Sequence, residues 1–286
     1  MSSIWRPVRE RAPARSLMVI VAHPGDEAFG FGGAIASAAA EGAYVVVVCA
    51  TRGWFDPRLA DKSPAPGGKN RDLKLGQITW RNLDTVREDE LRRSVAVLGV
   101  RVVRMLDYAE GELDRADFDQ LIGRIVEPIR MHRPEVILSF GTDGITGDTD
   151  HVVLSRAVSA AYRRAAEPLA YESVIEEDQV AWQAAKLYEL VVPKSLLTTL
   201  GPRAPEDYGS EVEPTLALEL RDLAQMKLAA ISRHVSQTGS AGPFHDWGDE
   251  LRDAYLSTEY YRLAASALPV PASGGAGEQS LFDGLA

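Results

Sequence analysis

His23, Asp26 and His151 are the side chains of this sequence whose types and spacing best suit a shared cation. His23 and Asp26 lie three apart in Ala22-His23-Pro24-Gly25-Asp26-Glu27, a segment that Pro24 stiffens, so both can turn toward one point. His151 comes far downstream, at the end of Asp148-Thr149-Asp150-His151. Two imidazoles and one carboxylate are a sufficient ligand set for a zinc ion that keeps an open position for water. The same set suits ferrous iron. The other histidines are His132, His234 and His245. On spacing alone, a metal site and a pair of ordinary loop histidines stand as alternatives. A second chemistry is suggested by Gly30-x-Gly32-Gly33, which follows a strand-like run as a dinucleotide fingerprint does. Its spacing is not G-x-G-x-x-G, and no acidic residue ends the next strand to hold a ribose hydroxyl. Close helix–sheet packing is the simpler reason for these glycines.

The elements that must position these residues alternate along the chain. Residues 17–21 are an uninterrupted apolar run, the pattern of a strand buried on both faces. His23 and its carboxylates sit on the loop leaving it, and residues 30–40 read as the following helix. In an open parallel sheet, ligands bind at the carboxyl ends of the strands. Residues 44–50 form a second strand, ending in Thr51-Arg52-Gly53 at the same edge. Residues 54–79 are long and irregular, flanked by Trp54, Phe55 and Trp80, and read as a lid or a surface excursion. Thr85-x-x-Glu88 is a capping-box pattern. Leu91, Val95 and Leu98 then share a helical face, and Gly99 stops the helix. Residues 100–106 give a third strand ending at Asp107-Tyr108, 118–131 a helix, and 135–140 a fourth strand. A polar loop over 141–150 leads into a helix over 152–165, with His151 at its entrance. A fifth strand is expected at 187–192, and late helices at 218–234 and 247–263. Strands alternating with helices predict an α/β fold with a doubly wound parallel sheet. Residues 1–15, with Arg6, Arg9, Arg11 and Arg15, are expected to be a loose arm. Residues 16–266 make one domain, and 267–286, including the linker-like run from Pro269, are expected to be disordered.

The 286 residues are 45% hydrophobic and 25% charged, ordinary for a globular chain with a full core. The formal net charge of -10 argues against a nucleic-acid partner, which needs a basic surface. Cys49 is the one cysteine, within an apolar run, so it excludes an internal disulfide and reads as a core thiol. No apolar stretch has the length of a membrane span. The N-terminus lacks the apolar segment of a secretory signal, and the expected location is cytoplasmic.

His23-Pro-Gly-Asp-Glu27, followed by Phe29-Gly-Phe-Gly-Gly33, resembles the His-Pro-Asp-Asp-Glu motif of the PIG-L/LmbE-like family of N-deacetylases. The resemblance continues through Cys49-Ala-Thr-Arg-Gly53, Val86-Arg-Glu-Asp-Glu-Leu91, Leu106-Asp-Tyr108, Phe140-Gly-Thr-Asp-Gly-Ile-Thr-Gly147 and Asp148-Thr-Asp-His151, and more weakly His234-Val-Ser-Gln237. It implies a Rossmann-like, mostly parallel sheet with helices on both faces. It also implies one zinc, or another divalent ion, and removal of an acyl group, usually acetyl, from an N-acetylglucosamine conjugate. By position, His23, Asp26 and His151 resemble the three metal ligands, and Arg87 and Asp107 resemble residues that contact the sugar conjugate. Two positions depart from the pattern. The family's general base, the first Asp of its motif, is Gly25 here. The first His of the family's His-Pro-Asp-His motif, which polarises the substrate carbonyl, is Asp148 here.

A positioned base is worth about 10²–10⁴ in rate, whereas zinc alone brings the pKa of its water to about 7. The departures therefore predict a slow hydrolase, with Asp148 or Glu27 as base. Glu27 can alternatively orient a ligand from behind. An anion at 148 would also oppose a developing oxyanion. Altered chemistry on a glycoconjugate and a non-catalytic binding or scaffold role are the other readings. The expected partner is a small-molecule glycoconjugate, and oligomeric state is left open.

Overall fold

The computed structural model of the chain describes residues 15–53, 82–171, 180–194, 210, 212–238, 244, 248–269 and 277–285. The segment read as a lid or excursion, with Trp54, Phe55 and Trp80, and most of the expected N-terminal arm lie outside the described residues.

Runs rich in valine, isoleucine and leucine make the middle of the sheet. β1 (Ser16–Val21) is buried throughout, and β2 (Tyr44–Thr51) nearly so, because each has helices over both faces. The remaining strands are β3 (Val102–Tyr108), β4 (Val136–Phe140), β5 (Lys186–Val191), β6 (Leu216–Glu219) and β7 (Thr258–Ser266). They form one seven-stranded sheet in the order β3-β2-β1-β4-β5-β7-β6. β1 pairs in parallel with β2 on one side and β4 on the other. The chain runs outward through β2 and β3, then returns to start again at β4 beside β1. That reversal makes the carboxyl ends of β1 and β4 the switch point of the sheet.

The helices are α1 (Asp26–Phe29), α2 (Gly32–Ala40), α3 (Leu83–Leu98), α4 (Phe118–His132), a single turn α5 (Gly144–Gly147), α6 (Thr149–Arg164), α7 (Ala224–Ile231), α8 (Val235–Thr238) and α9 (Asp249–Ser257). α2, α3 and α7 pack together as one layer, and α4 and α6 as another. Right-handed crossovers in opposite directions along the sheet require that division. The doubly wound, mostly parallel α/β architecture expected from the sequence is therefore present.

Three local expectations are corrected. α3 starts at Leu83 after Asn82, so Thr85 lies inside the helix, and Glu88 binds Arg52 and Arg92 instead of closing a capping box. Residues 216–219, partly assigned to a late helix, are the edge strand β6. The second half of the other late helix is β7, antiparallel to both β5 and β6. Thr258-Glu-Tyr-Tyr-Arg contains the β-branched and aromatic residues that suit a strand, and alternate residues Glu259 and Tyr261 are buried.

β7 also explains the glycines of the first loop. Glu259 accepts from the backbone N–H groups of Gly33 and Ala34 at 2.7 and 2.9 Å, filling the anion-binding start of α2. A Cβ on Gly33 would lie 2.3 Å from Leu220 Cδ1. These glycines serve helix packing, and the place a pyrophosphate would take is held by the protein's own carboxylate.

Residues 277–285 are seated on the domain, against the expectation of a disordered tail. Leu281 and Phe282 are buried, Glu278 binds Lys186 and the Tyr188 hydroxyl, and the Arg15 guanidinium lies over the Phe282 ring. Apolar anchors and one buried ion pair overcome the loose composition that precedes them. Among the described residues, no helix is long and apolar enough to cross a membrane.

Candidate metal centre

The loop after β1 and the start of α6 after β4 meet at the switch point. His23 leaves β1 in a turn closed by the bond from Asp26 N to His23 O, and the Asp26 Oδ2 accepts from His23 N at 2.8 Å. His151 enters from the first turn of α6, whose N-cap is Asp148. The Asp148 Oδ1 accepts from Asp150 N and His151 N at 2.8 and 3.2 Å.

Each imidazole has one nitrogen tied and the other turned to the same oxygen. His23 Nε2 is 3.0 Å from Asp150 Oδ2, and its Nδ1 is 3.6 Å from Asp26 Oδ2. His151 Nδ1 is 3.1 Å from Gly144 O, and its Nε2 is 3.3 Å from Asp26 Oδ2. If the tied nitrogens carry the protons, as their acceptor partners require, the free lone pairs converge with Asp26. Zinc–ligand bonds of about 2.0–2.1 Å around a tetrahedron put neighbouring ligand atoms about 3.3–3.4 Å apart. The two spacings to Asp26 Oδ2, 3.3 and 3.6 Å, are close to that, and the donor set of two imidazoles and a carboxylate suits a divalent ion. Among the described residues, His23, Asp148 and His151 each offer an atom within 4.8 Å of the others, so Asp148 stands beside Asp26 as a candidate third ligand.

The supporting residues are built for rigidity. Asp150 is buried and also accepts from Gly111 N and Leu113 N, at 2.6 and 3.0 Å, so it ties His23 to the loop after β3. The Phe140 ring stacks on His151 with centroids 4.0 Å apart and planes at 7°. Ile145 has φ 63° and ψ -49°, close to a γ-turn and strained for a β-branched residue. That turn aims the Gly144 carbonyl at His151, which is a reason for the strain to be kept.

Electrostatics follow from the carboxylates around the imidazoles. Burial opposes a charged His23, but the hydrogen bond to Asp150 and the charges of Asp26, Glu110 and Asp148 outweigh it and push the pKa up to about 9. Burial likewise opposes a charged His151, and Asp26 reverses the effect, so its pKa is also raised. Burial acts to raise the Asp26 carboxyl, yet His151 and His23 hold it below its usual value. The surroundings are thus arranged for positive charge.

Sequence reasoning located His23, Asp26 and His151, and the structure brings them together. It also places Asp148 beside them and leaves Gly25 without a side chain to contribute. Glu27 is committed elsewhere than His23 and His151: it is fully buried, accepting from Gly25 N and meeting His234 Nε2 at 2.6 Å. Cys49 is buried, and burial pushes its thiol well above the ordinary value, as suits an inert core residue.

Arg87 and Asp107 lie at the same edge with different freedom. Arg87 is buried, with Nη1 bound to Gly53 O at 3.0 Å and Glu110 Oε2 at 2.6 Å. Its buried Nε has no hydrogen-bond partner among the described residues. Asp107 is 48% exposed and sits at φ 61°, where the β2–β3 pairing shifts register. That bulge turns its carboxylate to Arg52, which bridges it to Glu88. Asp150 was not identified from sequence as a supporting residue, and Glu27 was read as one that orients a ligand from behind without His234 as its partner. An acidic residue in the first turn of a helix has an ordinary explanation in the helix dipole, and nothing local marks it as the partner of a distant histidine.

The sequence model of the PIG-L family, described as GlcNAc-PI de-N-acetylase, matches residues 18–162. A 1D-myo-inositol 2-acetamido-2-deoxy-alpha-D-glucopyranoside deacetylase of Streptomyces avermitilis is 29% identical, over 96% of this chain and 98% of its own. Among solved structures, an N,N'-diacetylchitobiose deacetylase from Pyrococcus horikoshii is similar at a TM-score of 0.65 and 19% identity, covering 87% of this chain and 83% of that one. The 4-carboxy-2-hydroxymuconate hydratase of Pseudomonas putida is similar at 0.60 and 20%, covering 89% and 98%. The two structures share the fold under different reactions.

Proposed function

The chain belongs to the PIG-L family, and from that premise we propose that it is a metal-dependent hydrolase removing the acetyl group from an N-acetylglucosamine conjugate. The observation that carries this reading is the convergence of His23 Nδ1 and His151 Nε2 on Asp26 Oδ2, each imidazole held from behind. His23, Asp26 and His151 would hold the ion, with zinc the first candidate for two imidazoles and a carboxylate. When bound, such an ion supplies Lewis acidity to a water and to the substrate carbonyl.

The chain's own residues supply the rest. Of the carboxylates at this point, Asp148 is assigned the proton: Asp26 is the proposed ligand, Asp150 is committed to His23 and two backbone donors, and Gly25 has nothing to offer. Asp148 would take a proton from the attacking water as the carbon–oxygen bond forms. It would return that proton to the nitrogen as the carbon–nitrogen bond breaks, leaving acetate and a free amine. Its bonds from Asp150 N and His151 N fix the carboxylate for this role. Asp107 and Arg87 would meet substrate hydroxyls, Asp107 directly and Arg87 with the small part of its side chain that is exposed. The similarity to an inositol-linked deacetylase favours a glucosaminide of a polyol as substrate. The single buried thiol suits a cytoplasmic site of action.

Gly25 favours a second reading, a member that binds metal and ligand without turnover. One experiment separates the two. Purified protein is stripped with chelator, reloaded with zinc, and assayed for acetate release from 2-acetamido-2-deoxyglucosyl inositol and N,N'-diacetylchitobiose. Release only by the reloaded protein supports the hydrolase. No release at about one bound equivalent supports the binding reading.

A further inference from the structure

We propose that Gln237 is a positioning residue for the metal-holding turn, occupying the volume that any side chain at position 25 would need. The inference rests on the metal site proposed above. Gly25 is buried at φ 111° and ψ -40°, a conformation that favours glycine. A Cβ built there would lie 2.6 Å from Gln237 Oε1 and 2.9 Å from Nε2. The carboxamide fills this volume and is not idle in it: Nε2 donates to Pro24 O at 2.6 Å. Pro24 and Gly25 are the two residues between His23 and Asp26, so Gln237 braces the link between two proposed ligands.

Gln237 is itself held firmly. α8 is one turn, yet three of five consecutive residues anchor it to distant parts of the chain. His234 Nε2 meets Glu27 Oε1 at 2.6 Å, Ser236 N and Oγ bind the two oxygens of Glu90, and Gln237 reaches Pro24. These partners are between 146 and 213 residues away in sequence. Glu27 in turn accepts from Gly25 N at 2.8 Å, so the turn is gripped at Pro24 O by Gln237 and at Gly25 N by the His234–Glu27 pair. A primary amide can orient neighbours but cannot take up a proton. On this flank of the site the chain has a brace and no base, and a side chain restored at position 25 would displace the Gln237 carboxamide from Pro24 O.

A double-mutant cycle read by cobalt affinity of the stripped protein tests the inference. Gln237→Ala should weaken cobalt binding about 10–100-fold, the usual effect of losing a residue that orients ligands. Gly25→Ala should weaken it further in the wild-type background than in Gln237→Ala, because the methyl group collides only where the carboxamide is present. Equal effects in both backgrounds, or wild-type affinity in Gln237→Ala, would overturn the proposal. If Gly25→Ala does not fold, Gln237→Met decides, since it fills the volume without a donor. Weaker cobalt binding at an unchanged melting temperature supports the brace, and unchanged binding overturns it. If wild type binds no cobalt, the metal reading fails and takes this one with it. If wild type and both Gln237 variants bind equally, the role of Gln237 alone fails.

Discussion

Asp148 holds two positions at once, helix cap and neighbour of the proposed ion, and its neutral isostere separates them. Asparagine caps a helix about as well as aspartate, so Asp148→Asn should keep the melting temperature within a degree or two while removing the proton acceptor. A large loss of stability in this variant would mean that the charge serves the fold. Asp107 allows a similar separation. Its φ of 61° is tolerated by asparagine, so Asp107→Asn removes the charge without adding backbone strain. KM for the conjugate should rise several-fold with kcat little changed; an unchanged KM would leave Asp107 as a partner of Arg52 alone. At this scale the proposed ligands were legible because two histidines and an aspartate fall on loops expected at one edge of the sheet, at positions that resemble a family motif. Asp150 was not, and the partners of Glu27 and Gln237 were not, because those contacts are brought close only by the tertiary fold.

Among the elements, α2 depends most visibly on a residue outside itself. Glu259 of β7 caps its N-terminus and pairs with Lys227 of α7 at 2.9 Å, both side chains being almost fully buried. Glu259→Ala leaves two helix N–H groups unsatisfied and a buried ammonium without its counter-charge, held among the described residues only by Tyr255. Such a break costs about 3–5 kcal/mol, read as a lower midpoint in urea; an unchanged midpoint would contradict the assigned pairing. β7 is also where sequence pattern misled. Its alternation is partial, with Arg262, Leu263, Ala264 and Ala265 all half-buried, so period two is blurred. The central strands were legible for the opposite reason: uninterrupted apolar runs bounded by turn residues leave few other options. The polar pattern Thr85-x-x-Glu88 matched a cap in composition, but Asn82 already precedes the helix and Glu88 is drawn to two arginines.

At the scale of the whole molecule, the two ends of the central strands have separate work. The seated tail meets Arg15, just before β1, and the proposed metal site follows β1 at the opposite edge. Phe282 is buried there, so Phe282→Ala should cost about 3–5 kcal/mol of stability while leaving kcat/KM of the folded protein unchanged. A parallel fall in kcat/KM would show that the two edges are coupled. Doubly wound topology was legible from the order of strands and helices; the antiparallel β7–β6 extension and the docking of the tail depend on long-range contacts that no local pattern records. The topology brings the loop after β1 and the start of α6 together at the switch point, and the account stands on what those residues do there. The most direct test is the rate of acetate release from 2-acetamido-2-deoxyglucosyl inositol by wild type and Asp148→Asn at equal metal content. A wild type that turns over and a variant slower by about 10²–10⁴, the range for a lost general base, is the predicted result. A wild type that releases no acetate with its metal bound, or a variant as fast as wild type, would contradict it.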